Sequence, residues 1–356
     1  METFWIKPKL YFGPEPLEAL SALAGKRVLI VTDAFLASSG LLDRVKARLT
    51  GEVSVFDRVE PDPSLRLVAE GVRAVRTFRP EAVVAFGGGS PMDCAKAMCW
   101  FSGDRDLPLY CIPTTAGTGS EVTSFAVLTD ADAGVKYPLV DDALLPDCAV
   151  LDASLLAGVP PAVTADTGMD VLTHAAEGCV ARKATPFSDA MGEKAFSIAW
   201  RSLSHAHAGD NGAKGEMLLA SCLAGISFNA AGLGICHALA HALGGRYHIP
   251  HGRLNAMLLP HVIAFNSADK GAADKYARLA GLCGLAKNPR ALIGGVKRLR
   301  AGLGMPEKLT ACGVEGQTLL ADLDSIVQAA LADVCAPGNP RPATREDLKA
   351  ILKELM

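Results

Sequence analysis

The stretch AVVAFGGGSPMDCAK, residues 82–96, decides the fold of the first half of the chain. Its first five residues are apolar, as in a buried strand, and the glycines that follow open a segment with helical spacing. Glycine allows a sharp turn from strand to helix and lets backbone N–H groups approach a pyrophosphate at the helix N-terminus. The stretch predicts a strand–turn–helix unit, and taken alone it leaves open whether the turn binds phosphate or only connects.

The same alternation of strand-like and helix-like segments extends over the first ~150 residues. Strand-like runs occur at residues 26–33, 53–57 and 109–115, and segments with apolar residues every three or four positions lie at 35–50 and 64–80. Strands alternating with helices predict a parallel sheet covered by helices. Ligands of such sheets bind at the carboxyl ends of the strands.

The second half has a different pattern of apolar residues. After about residue 155 the strand-like runs vanish, and long Ala- and Leu-rich stretches such as 218–245 predict helices. Gly244 and Gly245 are read as a helix stop. The segments 207–214 and 334–346 are interpreted as ordinary connectors. We therefore expect an all-helical domain.

Length and composition set further limits. The 356 residues predict two domains, an α/β domain at 1–155 and a helical domain at 156–356. A net charge of −3 without a basic run argues against a nucleic-acid partner. No apolar stretch approaches the ~20 residues that cross a bilayer, and the N-terminus does not read as a secretory signal. The ten cysteines form no CxxC pair and are expected to be buried free thiols in a reducing cytoplasm.

Two further features point to a dinucleotide. PTTAGTGSE (113–121) is a second small-residue loop after a strand, and it carries three threonine hydroxyls. Asp33 ends the first strand, where a carboxylate can accept both ribose hydroxyls of NAD and repel the 2′-phosphate of NADP. A lone aspartate at a strand end is more often a helix N-cap. Together with two glycine-rich loops, it predicts NAD(H).

A metal site is predicted from histidine spacing. His237 and His241 stand four residues apart on one helix face, and His251 follows Pro250 at the start of the next helix. Asp170 and His174 form a second pair with the same spacing on another helix. Such a mixed nitrogen and oxygen set suits Fe(II), Zn(II) or Co(II). The other histidines are interpreted as solvated or capping residues: His205, His207, His248 and His261.

These motifs resemble the iron-containing (group III) alcohol dehydrogenases, and the match runs nearly end to end. It is carried by GGGSPMDCAK, IPTTAGTGSEVTSFAVLTD, KYPLVDDALLPDCAVLD, PPAVTADTGMDVLTHAAE and HALAHALGGRYHIPHGRLNAMLLP. Within that family the chain is most similar to the propanol dehydrogenases of propanediol-utilisation microcompartments.

The resemblance implies a dehydroquinate synthase-like fold, with a Rossmann-like domain, an all-α domain and the active site in the cleft between them. It implies that iron is bound by Asp170, His174, His237 and His251. His241 matches a non-ligand histidine near the nicotinamide and becomes the candidate proton relay, because imidazole exchanges protons near neutral pH. The positions that match cofactor contacts are Asp33, Gly87, Gly88, Gly89, Ser90, Asp93, Thr114, Thr115 and Thr118.

The implied reaction is NADH-dependent reduction of a short-chain aldehyde, propanal or acetaldehyde, to its primary alcohol, which regenerates NAD. The resemblance also implies a homodimer without membrane contact, in the cytoplasm or inside a microcompartment beside its enzymes. One alternative is a polyol dehydrogenase of the glycerol dehydrogenase type, although those relatives lack a histidine at position 174. The other alternative is a catalytically silent scaffold.

Overall fold

The computed structural model describes residues 3–130 and 135–356. The chain forms two compact units, Met1–Val159 and Pro160–Met356. The break between them lies four residues after the boundary predicted from composition, which was 155/156. It falls just before Pro161, the first residue of the first long helix.

The N-terminal unit contains eight strands and four α-helices among its described residues. The strands are β1 (Lys9–Phe12), β2 (Val28–Val31), β3 (Val53–Phe56), β4 (Ala82–Gly87), β5 (Leu109–Pro113), β6 (Phe125–Asp130), β7 (Val135–Val140) and β8 (Cys148–Leu151). The helices are α1 (Ala34–Ser38), α2 (Leu41–Lys46), α3 (Leu65–Phe78) and α4 (Gly89–Ser102). Short 3-10 turns occupy Pro16–Leu23, Ser120–Val122, Asp142–Leu144 and Ala153–Leu156.

Six of the strands form one parallel sheet in the order β1-β8-β5-β4-β2-β3, and β6 pairs with β7 as an antiparallel hairpin. β2 and β4 are buried along their whole length, as expected for central strands of a covered parallel sheet. Chain order runs from β4 through β5 toward one edge and from β2 to β3 toward the other, so the sheet has a topological switch at its centre. The predicted parallel α/β sheet is confirmed.

The C-terminal unit contains helices and no strand among residues 160–356. The helices are α5 (Pro161–Val180), α6 (Pro186–His207), α7 (Asn211–Ala231), α8 (Ile235–Tyr247), α9 (His251–Asn266), α10 (Lys270–Leu282), α11 (Pro289–Gly302), α12 (Gly316–Ala332) and α13 (Arg345–Lys353). α5 packs against α6, α7 and α9, while α8 packs against α9 and α12. The predicted all-helical domain is confirmed.

The predicted helix stop at Gly244 and Gly245 is wrong. α8 continues through both glycines to Tyr247 and ends at His248, which adopts a left-handed conformation with φ 54°. A glycine inside a helix costs only ~1 kcal/mol, and packing of α8 on its neighbours outweighs that. The break falls earlier, between α7 and α8, where Gly232 has φ 84°. Residues 218–245 are thus two helices.

Within the described residues no single helix is long and apolar enough to cross a membrane, and only the pair α7 and α8, bent by 105°, meets those criteria jointly. The ten cysteines are all free thiols, as expected, although three are only partly buried: Cys99, Cys283 and Cys312.

Candidate active site

The predicted nucleotide-binding residues lie at the carboxyl ends of three adjacent strands. Asp33 follows β2, Gly88 follows β4, and Thr114 follows β5. Since β4 pairs with β2 on one side and with β5 on the other, these residues share one edge of the sheet. This edge lies at the topological switch, where sheets of this kind bind their ligands.

The two glycine-rich loops interlock. Gly87, with φ 152°, accepts a backbone hydrogen bond from Thr114. A Cβ on Gly89 would lie 2.9 Å from Thr118 Cγ2, so the loops approach closely only because glycine stands there. Gly88 is the N-cap residue of α4 and supplies no capping side chain. The first amides of α4 therefore lack partners within the helix, which suits an anion, and a Cβ on Gly88 would lie 3.2 Å from Thr115 Oγ1.

Asp33 is the N-cap residue of α1, which is the alternative to cofactor binding that the sequence left open. Its Oδ1 accepts a hydrogen bond of 2.8 Å from the Leu36 amide and caps α1. Its side chain is only partly buried, and this bond leaves Oδ2 unused. The cap fixes the carboxylate at the strand end, which is compatible with a second role toward a ribose.

The side chain of Asp93 holds the loop at 113–121 in place through hydrogen bonds. Its Oδ1 accepts a hydrogen bond from Ser120 Oγ at 2.8 Å, and its Oδ2 accepts one from the Val127 amide at 3.0 Å. The buried Lys96 donates to the same Ser120 hydroxyl and to the carbonyl of Thr123. Both carboxylate oxygens of Asp93 thus accept hydrogen bonds from the protein. To contact the cofactor as predicted, one of them would have to accept a further hydrogen bond.

Glu121 ends the same loop as a buried carboxyl group. Its side chain is 1% exposed, and Oε1 has no hydrogen-bond partner among the described residues. Burial raises its pKa from 4.5 to about 7. The folded protein therefore holds this proton at pH values where an unfolded chain releases it.

We expect this group to make the protein less stable as pH rises. Below pH ~4.5 both states are protonated, and between pH ~4.5 and 7 only the unfolded state loses the proton, so the free energy of unfolding falls by up to ~3 kcal/mol. Urea unfolding at pH 5 and pH 8 measures this loss. In Glu121→Gln, which cannot titrate, the loss should be smaller by that amount. If the free energy of unfolding falls equally between pH 5 and pH 8 in the parent and in Glu121→Gln, the raised pKa of Glu121 is contradicted.

In the C-terminal unit the predicted metal ligands converge from three helices. Asp170 and His174 lie on α5, His237 on α8 and His251 on α9. Asp170 Oδ1 lies 3.6 Å from His237 Nε2 and 3.5 Å from His251 Nε2, and Asp170 Oδ2 lies 3.9 Å from His174 Nδ1. The rings of His174 and His237 stack with centroids 4.5 Å apart. Asp170, His174 and His237 are almost fully buried.

The electrostatics of this cluster fit a cation. Burial would raise the pKa of Asp170, but the surrounding imidazoles of His174, His251 and His237 hold it well below its usual range. Burial and the neighbouring histidines His241, His237 and His174 lower the pKa of His251 well below its usual value, which favours the neutral imidazole that binds metals. The site thus combines one carboxylate with imidazoles, a set suited to Fe(II) or Zn(II).

His237 gives the sharpest test of that fit. Its Nδ1 lies 2.6 Å from Glu177 Oε2, which fixes the N–H on Nδ1. Nε2 then points its lone pair toward the Asp170 carboxylate, buried and without a hydrogen-bond partner among the described residues. Two electron-rich atoms 3.6 Å apart need a positive charge between them. Although burial opposes protonation, Asp170 and Glu177 raise the pKa of His237 to about 9, and a metal ion would take the place of that proton.

Sequence reasoning missed Glu177. Its side chain is 1% exposed, and its Oε1 accepts the Cys236 amide at 2.7 Å, so it caps the start of α8 as well as orienting His237. Glu177 follows Asp170 by seven residues and His174 by three, which places all three on one face of α5. This helical spacing could have identified Glu177 from the sequence alone.

Asn255 was missed as well. It follows His251 by one helical turn on α9, and its Nδ2 lies 2.7 Å from Asp170 Oδ1 and 3.0 Å from His251 Nε2. The approach of α9 to α5 depends on Gly252, where a Cβ would lie 2.0 Å from the carbonyl oxygen of Asp166. Beside it, Arg253 binds both carboxylate oxygens of Asp166. These contacts bring His251 to Asp170.

His241 lies beside the predicted ligand cluster and is bonded to a different carboxylate. Its Nδ1 lies 2.9 Å from Asp333 Oδ2, and its ring stacks on His251 with centroids 5.0 Å apart. The segment 334–346, interpreted from sequence as an ordinary connector, joins α12 to α13 and also contacts the start of α8. Within it Asn339 is 2% exposed, accepts the Ile235 amide and exchanges hydrogen bonds with Asn266. It therefore anchors the start of α8.

Two of the remaining histidines, His205 and His248, are placed as expected for solvated or capping residues. His205 is exposed on α6, and His248 is the left-handed cap of α8. His207 and His261 are partly buried, on α6 and α9.

A dinucleotide-type edge in one unit and a buried carboxylate–imidazole cluster in the other define a metal-dependent, nucleotide-linked oxidoreductase. Comparison with known families gives the same result. The iron-containing alcohol dehydrogenase model matches residues 7–153, and the model of the C-terminal part of the Fe-containing alcohol dehydrogenase family matches residues 164–356. The chain belongs to the iron-containing alcohol dehydrogenase family and is an alcohol dehydrogenase.

Individual relatives agree. The chain is 44% identical to the 1-propanol dehydrogenase PduQ of Citrobacter freundii over 100% of both chains. It is 38% identical to the NADPH-dependent butanol dehydrogenase of Clostridium saccharobutylicum, covering 99% of this chain and 97% of that protein. The iron-containing alcohol dehydrogenase of Thermococcus thioreducens superposes with a TM-score of 0.93 at 33% identity, covering 98% of each chain.

Proposed function

We propose that the protein reduces a short-chain aldehyde such as propanal or acetaldehyde to its primary alcohol with NADH. Fe(II), or Zn(II) in its place, would be held by Asp170, His174, His237 and His251. The observation that carries the proposal is the buried His237 Nε2, aimed at Asp170 across 3.6 Å and needing a cation between them. The likeness to a 1-propanol dehydrogenase at 44% identity supports the substrate class.

A divalent ion at this position supplies Lewis acidity, which polarises a carbonyl group and lowers the pKa of an alcohol. The chain's own residues supply the rest. Glu177 and Asn255 hold the ligand side chains in place, and Phe228 stacks on His174 with ring centroids 4.5 Å apart, which makes one wall apolar. His241 stands beside His251 outside the ligand set and would exchange the proton with the product oxygen directly or through water.

The choice of NAD over NADP rests on Asp33, because one relative is NADPH-dependent and family membership alone does not decide it. Asp33→Asn keeps an oxygen that can cap α1 but removes the negative charge. We expect the ratio of kcat/KM with NADPH to kcat/KM with NADH to rise about tenfold, since a repulsion of about 1.4 kcal/mol toward the 2′-phosphate is lost. Steady-state rates with both coenzymes measure the ratio. An unchanged ratio would remove Asp33 from coenzyme selection.

The proposal as a whole is tested by following NADH oxidation with propanal under anaerobic conditions. Metal-stripped protein is reloaded with Fe(II) or with Zn(II), and metal content is measured in the same samples. Turnover restored by Fe(II), with NADPH much weaker, is the expected result. Stoichiometric metal with no aldehyde turnover would overturn the substrate class, and turnover of glycerol or a related polyol instead would favour the polyol dehydrogenase alternative.

A further inference from the structure

Asp333 and His241 form a hydrogen-bonded pair beside the metal ligands. Asp333 Oδ2 lies 2.9 Å from His241 Nδ1, and the two residues are 92 positions apart in the chain. The carboxylate is 12% exposed and the imidazole 24% exposed. A charge-assisted hydrogen bond with so little access to solvent is among the stronger contacts that a side chain can make.

Asp333 is itself held in place. It follows the last residue of α12, which packs against α8, the helix that carries His241. Its Oδ1 accepts the Cys335 amide at 2.8 Å, which fixes the rotation of the carboxylate. One oxygen is therefore committed to the backbone, and the other is presented to His241.

The ring of His241 is constrained in two directions. Stacking on His251, with an interplanar angle of 16°, fixes the plane of the ring. The bond to Asp333 fixes its rotation within that plane. It also fixes the tautomer, because a carboxylate can only accept, so that Nδ1 carries the hydrogen and Nε2 presents a lone pair.

We propose that Asp333 is the positioning residue of the proton relay, holding His241 in the Nδ1–H tautomer with Nε2 turned to the reacting oxygen. The inference rests on the proposed function, in which His241 exchanges the proton. When Nε2 takes a proton during alcohol oxidation, the Asp333 carboxylate faces the resulting imidazolium. In aldehyde reduction Nε2 returns that proton to the product oxygen and the imidazole becomes neutral again.

Asp333→Asn tests the inference. The asparagine oxygen can still accept the Cys335 amide, but its NH₂ group can only donate to His241 Nδ1, which forces the opposite tautomer. We expect kcat to fall about 10- to 100-fold with KM for the aldehyde nearly unchanged, and with metal content and melting temperature as in the parent. Asp324→Asn is the matched control on α12, since that carboxylate is 76% exposed.

A double-mutant cycle separates positioning from a structural role. In a His241→Ala background, Asp333→Asn should cause no further loss, because the group it positions is gone. Equal losses of kcat with and without His241 would overturn the inference. So would a kcat for Asp333→Asn within a factor of two of the parent.

A second measurement does not depend on turnover. On Zn(II)-loaded protein, which is diamagnetic, long-range ¹H–¹⁵N correlation spectra of the imidazoles report which nitrogen of His241 carries the hydrogen. We expect Nδ1–H in the parent and Nε2–H in Asp333→Asn. An Nε2–H tautomer in the parent would overturn the inference whether or not the enzyme reduces propanal. If the parent protein shows no aldehyde reduction but His241 has the Nδ1–H tautomer in the parent and the Nε2–H tautomer in Asp333→Asn, only the proposed function is rejected.

Discussion

Replacing Asp170 by asparagine is expected to abolish stable metal binding and to lower kcat/KM by about a thousandfold or more. Asparagine has the same shape but no charge, so the three imidazoles would lose the only carboxylate among the predicted ligands. Loss of the Lewis acid removes several kcal/mol of transition-state stabilisation, and ~4 kcal/mol corresponds to a factor of about a thousand. Metal content after desalting and steady-state rates in the same samples measure both effects.

The matched control is Asp274→Asn, which removes an exposed carboxylate from α10. A readout without turnover comes from thermal unfolding. A ligand that binds only the folded state raises its stability, so Fe(II) or Zn(II) should raise the melting temperature of the metal-stripped parent and leave Asp170→Asn unaffected. A variant that keeps stoichiometric iron and an ordinary rate would show that Asp170 is not a ligand.

The sequence was informative where signals are local. The i, i+4 pairs Asp170/His174 and His237/His241 identified helix faces that carry possible ligands, and the triple glycine after β4 identified the edge of the sheet. The convergence of α5, α8 and α9 was not readable in this way. It depends on close approaches such as Gly252 against the carbonyl of Asp166, which tertiary packing creates.

Other parts of the structure gave weak signals. β1 has a partly exposed pattern without alternation, and it becomes a strand by pairing with β8, about 140 residues away. Asp333 lies next to a Pro- and Gly-rich segment that reads as a connector, and its partner His241 is on another helix. Glu177, by contrast, was readable because it continues the face of Asp170 and His174. Long-range partners are what single-sequence reasoning lacks.

His241→Ala is expected to lower kcat about 100- to 1000-fold while leaving the bound metal intact. General acid–base catalysis contributes effects of that order, and water can replace the relay only in part. The metal should stay because the distances that define the ligand cluster join Asp170 to His174, His237 and His251, and His241 is bonded to Asp333 instead. Steady-state kinetics and metal analysis on the same preparation measure the two quantities.

His205→Ala, which removes an exposed histidine from α6, is the control for histidine loss as such. Its kcat and metal content should match those of the parent. If His241→Ala loses its metal, then His241 belongs to the ligand set, since the stacked His251 could exchange roles with it. If the metal stays and kcat is unchanged, the proton reaches the product oxygen by another route, and the pair with Asp333 serves the fold rather than the reaction.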